Sequence, residues 1–181
     1  MRTPYTAQQS LAWRGLVMIG LLVAIAVLAW SGCAKKQVRL DLGPAVSAVS
    51  LQNAVGGYTI TGDSSYAVVS SSALRAFYDD FRSEIFRNGV TKWEPRFDCN
   101  HFAAYYVALA QTRYYLANFH SGTAPQSLAV GVFWYRPNVG PNGHAIVMAL
   151  TERGVIYLEP QDGRELQLTA AEKQTAYLRL F

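Results

Sequence analysis

Two short apolar runs in the last third of the chain constrain its fold more than any other feature. The runs cover residues 144–150 and 155–159, they are rich in β-branched residues, and only residues 151–154 separate them. Runs of this kind, so close in sequence, form an antiparallel β-hairpin closed by a short turn. The chain therefore contains a β-sheet on which the rest of the domain must pack.

The hairpin also predicts which polar side chains meet. If the turn centres on residues 152–153, the pairing runs back until His144 lies opposite Gln161. Side chains alternate between the two faces of a strand, so His144, Glu159 and Gln161 then share one face. A shift of one residue would separate them, and the prediction therefore depends on the turn.

A cysteine lies where a helix is predicted to begin. A loop that contains a proline, residues 93–97, leads into a helix-forming stretch from Asp98 to about residue 119, and Cys99 falls in its first turn. Asp98 is the natural N-cap of this helix. Unpaired N–H groups and the helix dipole favour thiolate over thiol at such a position, and the thiolate is the nucleophilic form of cysteine.

The chain carries three chemical groups in a fixed order. They are the thiol of Cys99, the imidazole of His144, and then the carboxylate of Glu159 or the amide of Gln161. These groups are the parts of a cysteine–histidine hydrolase, in which a base activates the thiol and a third group orients the base. His101 competes with His144 as the base. A residue two positions after Cys99 points about 200° away from it around a helix, so His144 is preferred.

The pattern resembles the papain-like and transglutaminase-like cysteine hydrolase superfamily, and within it the C-terminal cysteine-protease domain of fungal agglutinins and its bacterial and phage relatives. The similar features are Asp98-Cys99 opening a helix, Gly143-His144 opening a strand, and Glu159-Pro160-Gln161 ending the next strand, within residues 68–168. The resemblance implies that Cys99 is the nucleophile, His144 the general base and acid, and Glu159 the orienting residue, with Gln161 as the alternative third member.

The resemblance also implies an α+β, papain-like fold, in which two N-terminal helices pack on an antiparallel sheet of three to five strands. Helical spacing of apolar residues predicts the first helix at 72–88, before the helix that carries Cys99. The backbone N–H of Cys99 is one expected oxyanion donor, and the Trp93 indole and the Gln161 amide are candidates for the second. Other predicted elements are strands at 58–61, 66–69, 128–135 and 165–168 and a helix at 170–178.

The first 32 residues have the features of a signal peptide. Arg2 and Arg14 precede an apolar stretch of about 15 residues, too short to span a bilayer, and Ser31-Gly32-Cys33 follows. The sequence therefore predicts lipidation of Cys33, a tether and irregular segment at 33–57, a hydrolase domain at 58–181, and anchoring in the cell envelope on the periplasmic side. An uncleaved signal anchor is the alternative.

Charge and composition limit the classes of partner that the sequence predicts. The formal net charge is +4, two of the basic residues lie in the predicted leader, and no basic cluster is interleaved with aromatic residues, so nucleic acid is not expected as a partner. The expected partners are a peptide or amide substrate and, through the lipid, a membrane. No cofactor is expected, although a carboxylate-rich cleft could bind calcium.

The functional prediction is a lipid-anchored cysteine peptidase or amidase that works by acyl transfer from its substrate to Cys99. One alternative is a peptidoglycan endopeptidase of the NlpC/P60 kind, which usually has Ser-Gly after the cysteine where this chain has Asn100-His101. The other is a catalytically silent papain-like fold that serves as a surface binding protein.

Overall fold

The computed structural model describes residues 40, 42–119, 121–140 and 142–181. The predicted signal peptide, Cys33 and most of the N-terminal half of the predicted tether lie outside these residues. None of the helices in the described ranges has the length and apolarity that a membrane crossing requires.

The elements are β1 Leu42–Ser47, α1 Ala48–Val55, β2 Ser65–Val69, α2 Ser71–Arg87, α3 Cys99–Asn118, β3 Ser127–Leu128, β4 Val130–Tyr135, β5 His144–Thr151, β6 Gly154–Leu158, β7 Glu165–Leu166, α4 Ala170–Gln174 and β8 Leu178–Leu180.

The two long helices begin at capping residues that the sequence signals. The Ser70 hydroxyl accepts a hydrogen bond from the Ala73 N–H at 3.0 Å, and this starts α2 one residue before its predicted start. Asp98 Oδ1 accepts from the Asn100 N–H at 3.1 Å and starts α3. The two helices are joined in the core by the Tyr106 hydroxyl of α3, which donates to the Leu74 carbonyl of α2 at 2.7 Å.

The strands form one mixed sheet of eight strands, with the order β1-β2-β5-β4-β8 along its main path. The short strand β3 pairs in parallel with β2, and β2 pairs in parallel with β5. The remaining neighbours, including β6 on β5 and β7 on β6, are antiparallel. Strand β5 therefore lies inside the sheet, bonded to β4 and β6 on its two sides.

Both faces of the sheet are covered. Side chains that alternate along β5 belong to different clusters: Val147 packs with α2 and α3, and Ile146 packs with the buried rings of β4 and β6. A third cluster holds Leu51 of α1, which is fully buried against the sheet. Helix α3 thus rests on β5. Its first residue, Cys99, lies beside His144, at the start of that strand.

The hairpin forms in the predicted register. Leu150 pairs with Val155, and the pairing continues back to Val147 opposite Leu158. Extension by three residues would bring His144 opposite Gln161, as the turn position required. The turn itself is held by the Thr151 hydroxyl, which donates to the Gly154 carbonyl at 2.8 Å.

The predicted fold class is wrong. The described residues form four helices and a mixed sheet of eight strands, not two N-terminal helices on an antiparallel sheet of three to five strands. Residues 42–55, which the sequence assigned to the tether, form β1 and α1. The predicted helix at 170–178 ends at Gln174, because Leu178 pairs with Trp134 and extends the sheet as β8.

The strand predicted at residues 58–61 does not form. Residues 58–61 make a single bridge, between Ile60 and Leu180. The backbone N–H of Ile60 donates to the Arg179 carbonyl, and the N–H of Phe181 donates to the Ile60 carbonyl, at 2.9 and 3.0 Å. This segment therefore covers the free side of β8 rather than forming a strand of its own.

Candidate thiol–imidazole–carboxylate site

Cys99 is held at the first turn of α3 by a capping arrangement next to it. The Asp98 carboxylate caps the helix, and the His101 ring lies 2.8 Å from Asp98 Oδ1. Burial raises the pKa of Asp98, but the hydrogen bonds from His101 and from the Asn100 N–H outweigh it and hold that pKa below its usual value. Asp98 is therefore a carboxylate at neutral pH and fixes the position at which the chain enters α3.

Hydrogen bonding from two groups lowers the pKa of the Cys99 thiol. One is the imidazole of His144, and the other is the backbone N–H of Ala145, which donates to the sulfur. Both partners belong to the first two residues of β5. Because α3 packs on β5, the helix start and the strand start meet, and this contact positions the thiol beside the ring.

His144 is bonded on its other side to a carboxylate. Its Nε2 lies 2.6 Å from Glu159 Oε2, and the two side chains are only 18% and 9% exposed. Since Nε2 is occupied by Glu159, Nδ1 is the ring nitrogen left for the Cys99 sulfur. Glu159 is held in turn by the backbone N–H of Gln161, which donates to Oε1 at 3.2 Å.

The pKa values of the thiol and the imidazole move toward each other's usual range. The hydrogen bond from His144 lowers the pKa of Cys99, and this effect, with the Ala145 N–H, outweighs burial and the nearby Asp98 charge. The hydrogen bonds to Cys99 and then to Glu159 raise the pKa of His144 to about 9, against the opposing effect of burial. A pair with these shifts favours thiolate and imidazolium over thiol and neutral imidazole.

The structure thus brings together Cys99, His144 and Glu159, but not all of the predicted site residues. Gln161 acts on Glu159 through its backbone, and its carbonyl accepts from Arg82 at 3.3 Å. Trp93 lies in the loop before α3 with 51% of its surface exposed, and no hydrogen bond among the described residues joins it to the other members. The backbone N–H of Cys99, as the first of α3, has no acceptor within the helix and points toward its N-terminal end.

Two contributions to the site were not foreseen from sequence. Tyr135 is 4% exposed, pairs with His144 across β4 and β5, and places its ring 6.0 Å from the imidazole. Burial, with smaller effects of the Glu172 and Glu159 charges, raises its pKa. The Ala145 N–H is the second, and as a backbone group it leaves no trace in the residue types. The pairing of the apolar run at 128–135 with the hairpin is the signal that would have found Tyr135.

Within the described ranges no group of three or more His, Cys, Asp and Glu side chains could hold a metal ion. The calcium site considered from the sequence remains a prediction without a defined set of ligands.

Comparison with known proteins gives a fold but no family. No protein family and no curated protein matches the sequence. The structure is similar to that of Polyporus squamosus lectin bound to the human-type influenza-binding epitope Neu5Aca2-6Galb1-4GlcNAc, with a TM-score of 0.57 and 18% identity over 76% of this chain and 49% of the lectin chain. It is similar to the PSL1a–E64 complex with the same TM-score and identity, over 76% of this chain and 51% of that one. This chain therefore spans about half the length of each.

These similarities correct the functional prediction. One protein of similar fold is a lectin bound to a glycan, so the predicted lipid-anchored cysteine hydrolase is not upheld. They equally give no support for describing the chain as a thiol protease, lipoprotein or papain-like protein. The expectation that the protein binds a partner agrees in part with the similar structures, since both are complexes. Neither is described with a peptide substrate or a lipid anchor. Whether this chain catalyses a reaction is a separate prediction that no comparison tests.

Proposed function

We propose that this protein is a ligand-binding protein and that Cys99 is the reactive group of its ligand site. The observation that carries the proposal is the hydrogen-bonded series from Cys99 through His144 to Glu159, closed by the 2.6 Å contact between Nε2 and Oε2. A buried carboxylate stabilises the imidazolium, and the imidazolium stabilises the thiolate. Such a thiol reacts with electrophiles at a pH where an ordinary cysteine is protonated.

Two ligands are reasonable to test first, because they occupy the proteins of similar fold. They are E64 and the trisaccharide Neu5Acα2-6Galβ1-4GlcNAc. E64 tests the site at Cys99 directly. The trisaccharide tests carbohydrate as the ligand class wherever it binds on this chain.

The reactive site is tested by labelling at acidic pH. In full-length protein with Cys33→Ser, we expect iodoacetamide at pH 6 to modify Cys99 faster than it modifies the same protein unfolded in urea, as read by intact mass and peptide mapping. E64 should protect Cys99 from iodoacetamide, and His144→Ala should remove both effects. Equal rates in the folded and unfolded protein would contradict the proposal.

A second candidate function is that of an enzyme, a cysteine peptidase or amidase, and the position of His144 between Cys99 and Glu159 favours it. The Cys99 sulfur would attack the carbonyl carbon of an amide while the π electrons move to the oxygen, which the helix-start N–H of Cys99 can stabilise. As the C–N bond breaks, His144 would give its proton to the leaving amine. Water would then add to the thioester with His144 as base, releasing the acid and restoring the thiol.

Turnover separates the two candidates. An enzyme releases product from a peptide or amide library in an amount that exceeds the enzyme, and Cys99→Ala abolishes this while leaving any binding of the trisaccharide intact. A binding protein with a reactive thiol is labelled by iodoacetamide at acidic pH but gives no product. The two measurements are made on the same preparation, so loss of folding cannot be mistaken for either result.

A further inference from the structure

The far end of α3 lines a cleft that the site at Cys99 does not use. With a rise of about 1.5 Å per residue, Asn118 lies about 28 Å along the helix from Cys99. The cleft has a volume of about 380 Å³, within the range of small-molecule sites. Its wall comes from the last turns of α3 and from the segment before β3, and includes Tyr114, Tyr115, Asn118, Phe119, Pro125 and Gln126.

Among the described residues, the lining combines exposed aromatic rings with amide side chains, and none of them is charged. Tyr115 and Phe119 are 57% and 59% exposed, although large aromatic residues are usually buried, and their rings meet edge to face at 5.3 Å. The Tyr115 ring therefore contacts Phe119 and still has more than half of its surface exposed.

Two amides of the lining, Asn118 and Gln126, are held in orientation by hydrogen bonds to the protein. Asn118 donates through Nδ2 to the Tyr114 carbonyl at 2.9 Å, so its Oδ1 remains as an acceptor. Gln126 accepts through Oε1 from the Ser64 N–H and hydroxyl, both at 2.8 Å, so its Nε2 remains as a donor. The cleft therefore presents one oriented acceptor and one oriented donor beside an aromatic surface.

We infer that this cleft is a second binding site, and that its ligand is an uncharged saccharide. A sugar ring has an apolar C–H face that fits an aromatic side chain, and each hydroxyl both donates and accepts, as Asn118 and Gln126 together require. A charged ligand would lose water without meeting an opposite charge on the described residues of this lining, which is unfavourable. The inference does not depend on the reactivity of Cys99.

The test is a calorimetric titration of the full chain with Galβ1-4GlcNAc and, separately, with its Neu5Acα2-6 form. We expect the uncharged disaccharide to bind with a Kd of about 1 mM or tighter, and the sialylated form no more tightly. Tyr115→Ala should weaken binding about tenfold, which corresponds to about 1.4 kcal/mol, and Asn118→Ala should weaken it less. Leu116→Ala is the matched control, because Leu116 is 56% exposed on the same turn but does not line the cleft, and it should leave the Kd unchanged.

Three results would overturn this inference. They are absence of disaccharide binding, equal weakening by Tyr115→Ala and Leu116→Ala, and self-association that Tyr115→Ala abolishes, which would make a second copy of the chain the occupant. None of them affects alkylation of Cys99 at acidic pH, which tests the proposed function. The two can therefore fail separately.

Discussion

The structure contains two histidine–carboxylate pairs next to Cys99, and they are built differently. His101 lies 2.8 Å from Asp98, three residues away on the same helix turn, with 52% of its side chain exposed. His144 lies 2.6 Å from Glu159, the residue that follows the neighbouring strand β6, and its side chain is 18% exposed. The distances are nearly equal, so the difference lies in burial and in the elements that supply the partners.

The local pair completes a helix start, whereas the long-range pair changes the chemistry of a thiol. His101 Nδ1 lies 3.3 Å from the Asp98 backbone N and 2.8 Å from Asp98 Oδ1, in a capping-box arrangement in which the ring tautomer sets whether Nδ1 accepts from the N–H or donates to the carboxylate. An exposed pair of this kind contributes little to stability. His144 has its pKa raised to about 9 by Cys99 and Glu159 together. A histidine near a cysteine is therefore not enough; what matters is which element carries it and how deeply it is buried.

The largest expected effect is on the alkylation rate of Cys99, when each of the two histidines is replaced by alanine in a separate variant. His144→Ala removes the group that contributes most to the lowered pKa of Cys99, so we expect the iodoacetamide rate at pH 6 to fall at least tenfold. His101→Ala should change that rate less than twofold at the same pH. Both are measured by mass spectrometry in the Cys33→Ser background. A larger loss in His101→Ala would reverse the roles assigned to the two pairs.

The next effect concerns the pH range of the thiolate. Because the pKa of Cys99 lies below its ordinary value of 9.0, the thiolate persists as pH falls, and the alkylation rate should lose half of its plateau only at a pH below 9.0. Thiolate absorbance at 240 nm, recorded against the Cys99→Ser protein, gives the same titration without a reagent. A midpoint at or above 9.0 would show that the contact with His144 does not activate the thiol.

Glu159→Gln tests the buried pair itself. The folded-state pKa of His144, about 9, lies above its ordinary value of 6.5, so the stabilisation from its partners is complete below pH 6.5 and is lost as pH rises through about 9. We expect Glu159→Gln to lower the free energy of unfolding by about 2 kcal/mol at pH 6, and by less at pH 9.5. Urea unfolding at the two pH values measures this. Gln161→Ala is the control, because the backbone N–H that it supplies is retained.

The smallest effect is expected in the exposed pair. Asp98→Ala removes the N-cap of α3 and should cost about 1 kcal/mol of unfolding free energy at neutral pH. Asp98→Asn keeps a capping oxygen and should cost less than half of that. If Asp98→Asn also slows alkylation of Cys99 as much as His144→Ala does, the carboxylate has a part in the chemistry and the contrast between the two pairs is lost.

The parts of this fold that the sequence predicted are those set by local signals. Helix α2 and the hairpin register follow from Ser70 as a cap, from apolar spacing and from a short turn, all within a few residues. Helix α1 was missed because a single residue, Leu51, carries its burial in an Ala- and Ser-rich segment. The helix predicted at 170–178 has a genuine cap at Thr169, but the prediction runs into Leu178, the first residue of β8, because the distant pairing of Leu178 with Trp134 has no local signal.

The site follows the same division. The set of Cys99, His144 and Glu159 was predicted from helix start and register, and the structure brings these residues together. The sequence alone leaves Glu159 and Gln161 equal as the partner of His144, because both share a face and differ only in how the chain turns after β6. The Ala145 N–H could not be predicted at all, since every residue but proline has one.

The contact of the Cys99 sulfur with the first two residues of β5 makes this thiol a marker of the folded molecule. In an unfolded chain the same cysteine has an ordinary pKa and is almost wholly protonated at pH 6. Cysteine labelling is commonly used to count molecules that have opened, because buried thiols react only after unfolding. Here acidic labelling would count the molecules in which α3 has docked on the sheet, and its decay under denaturant would follow the loss of that docking in real time.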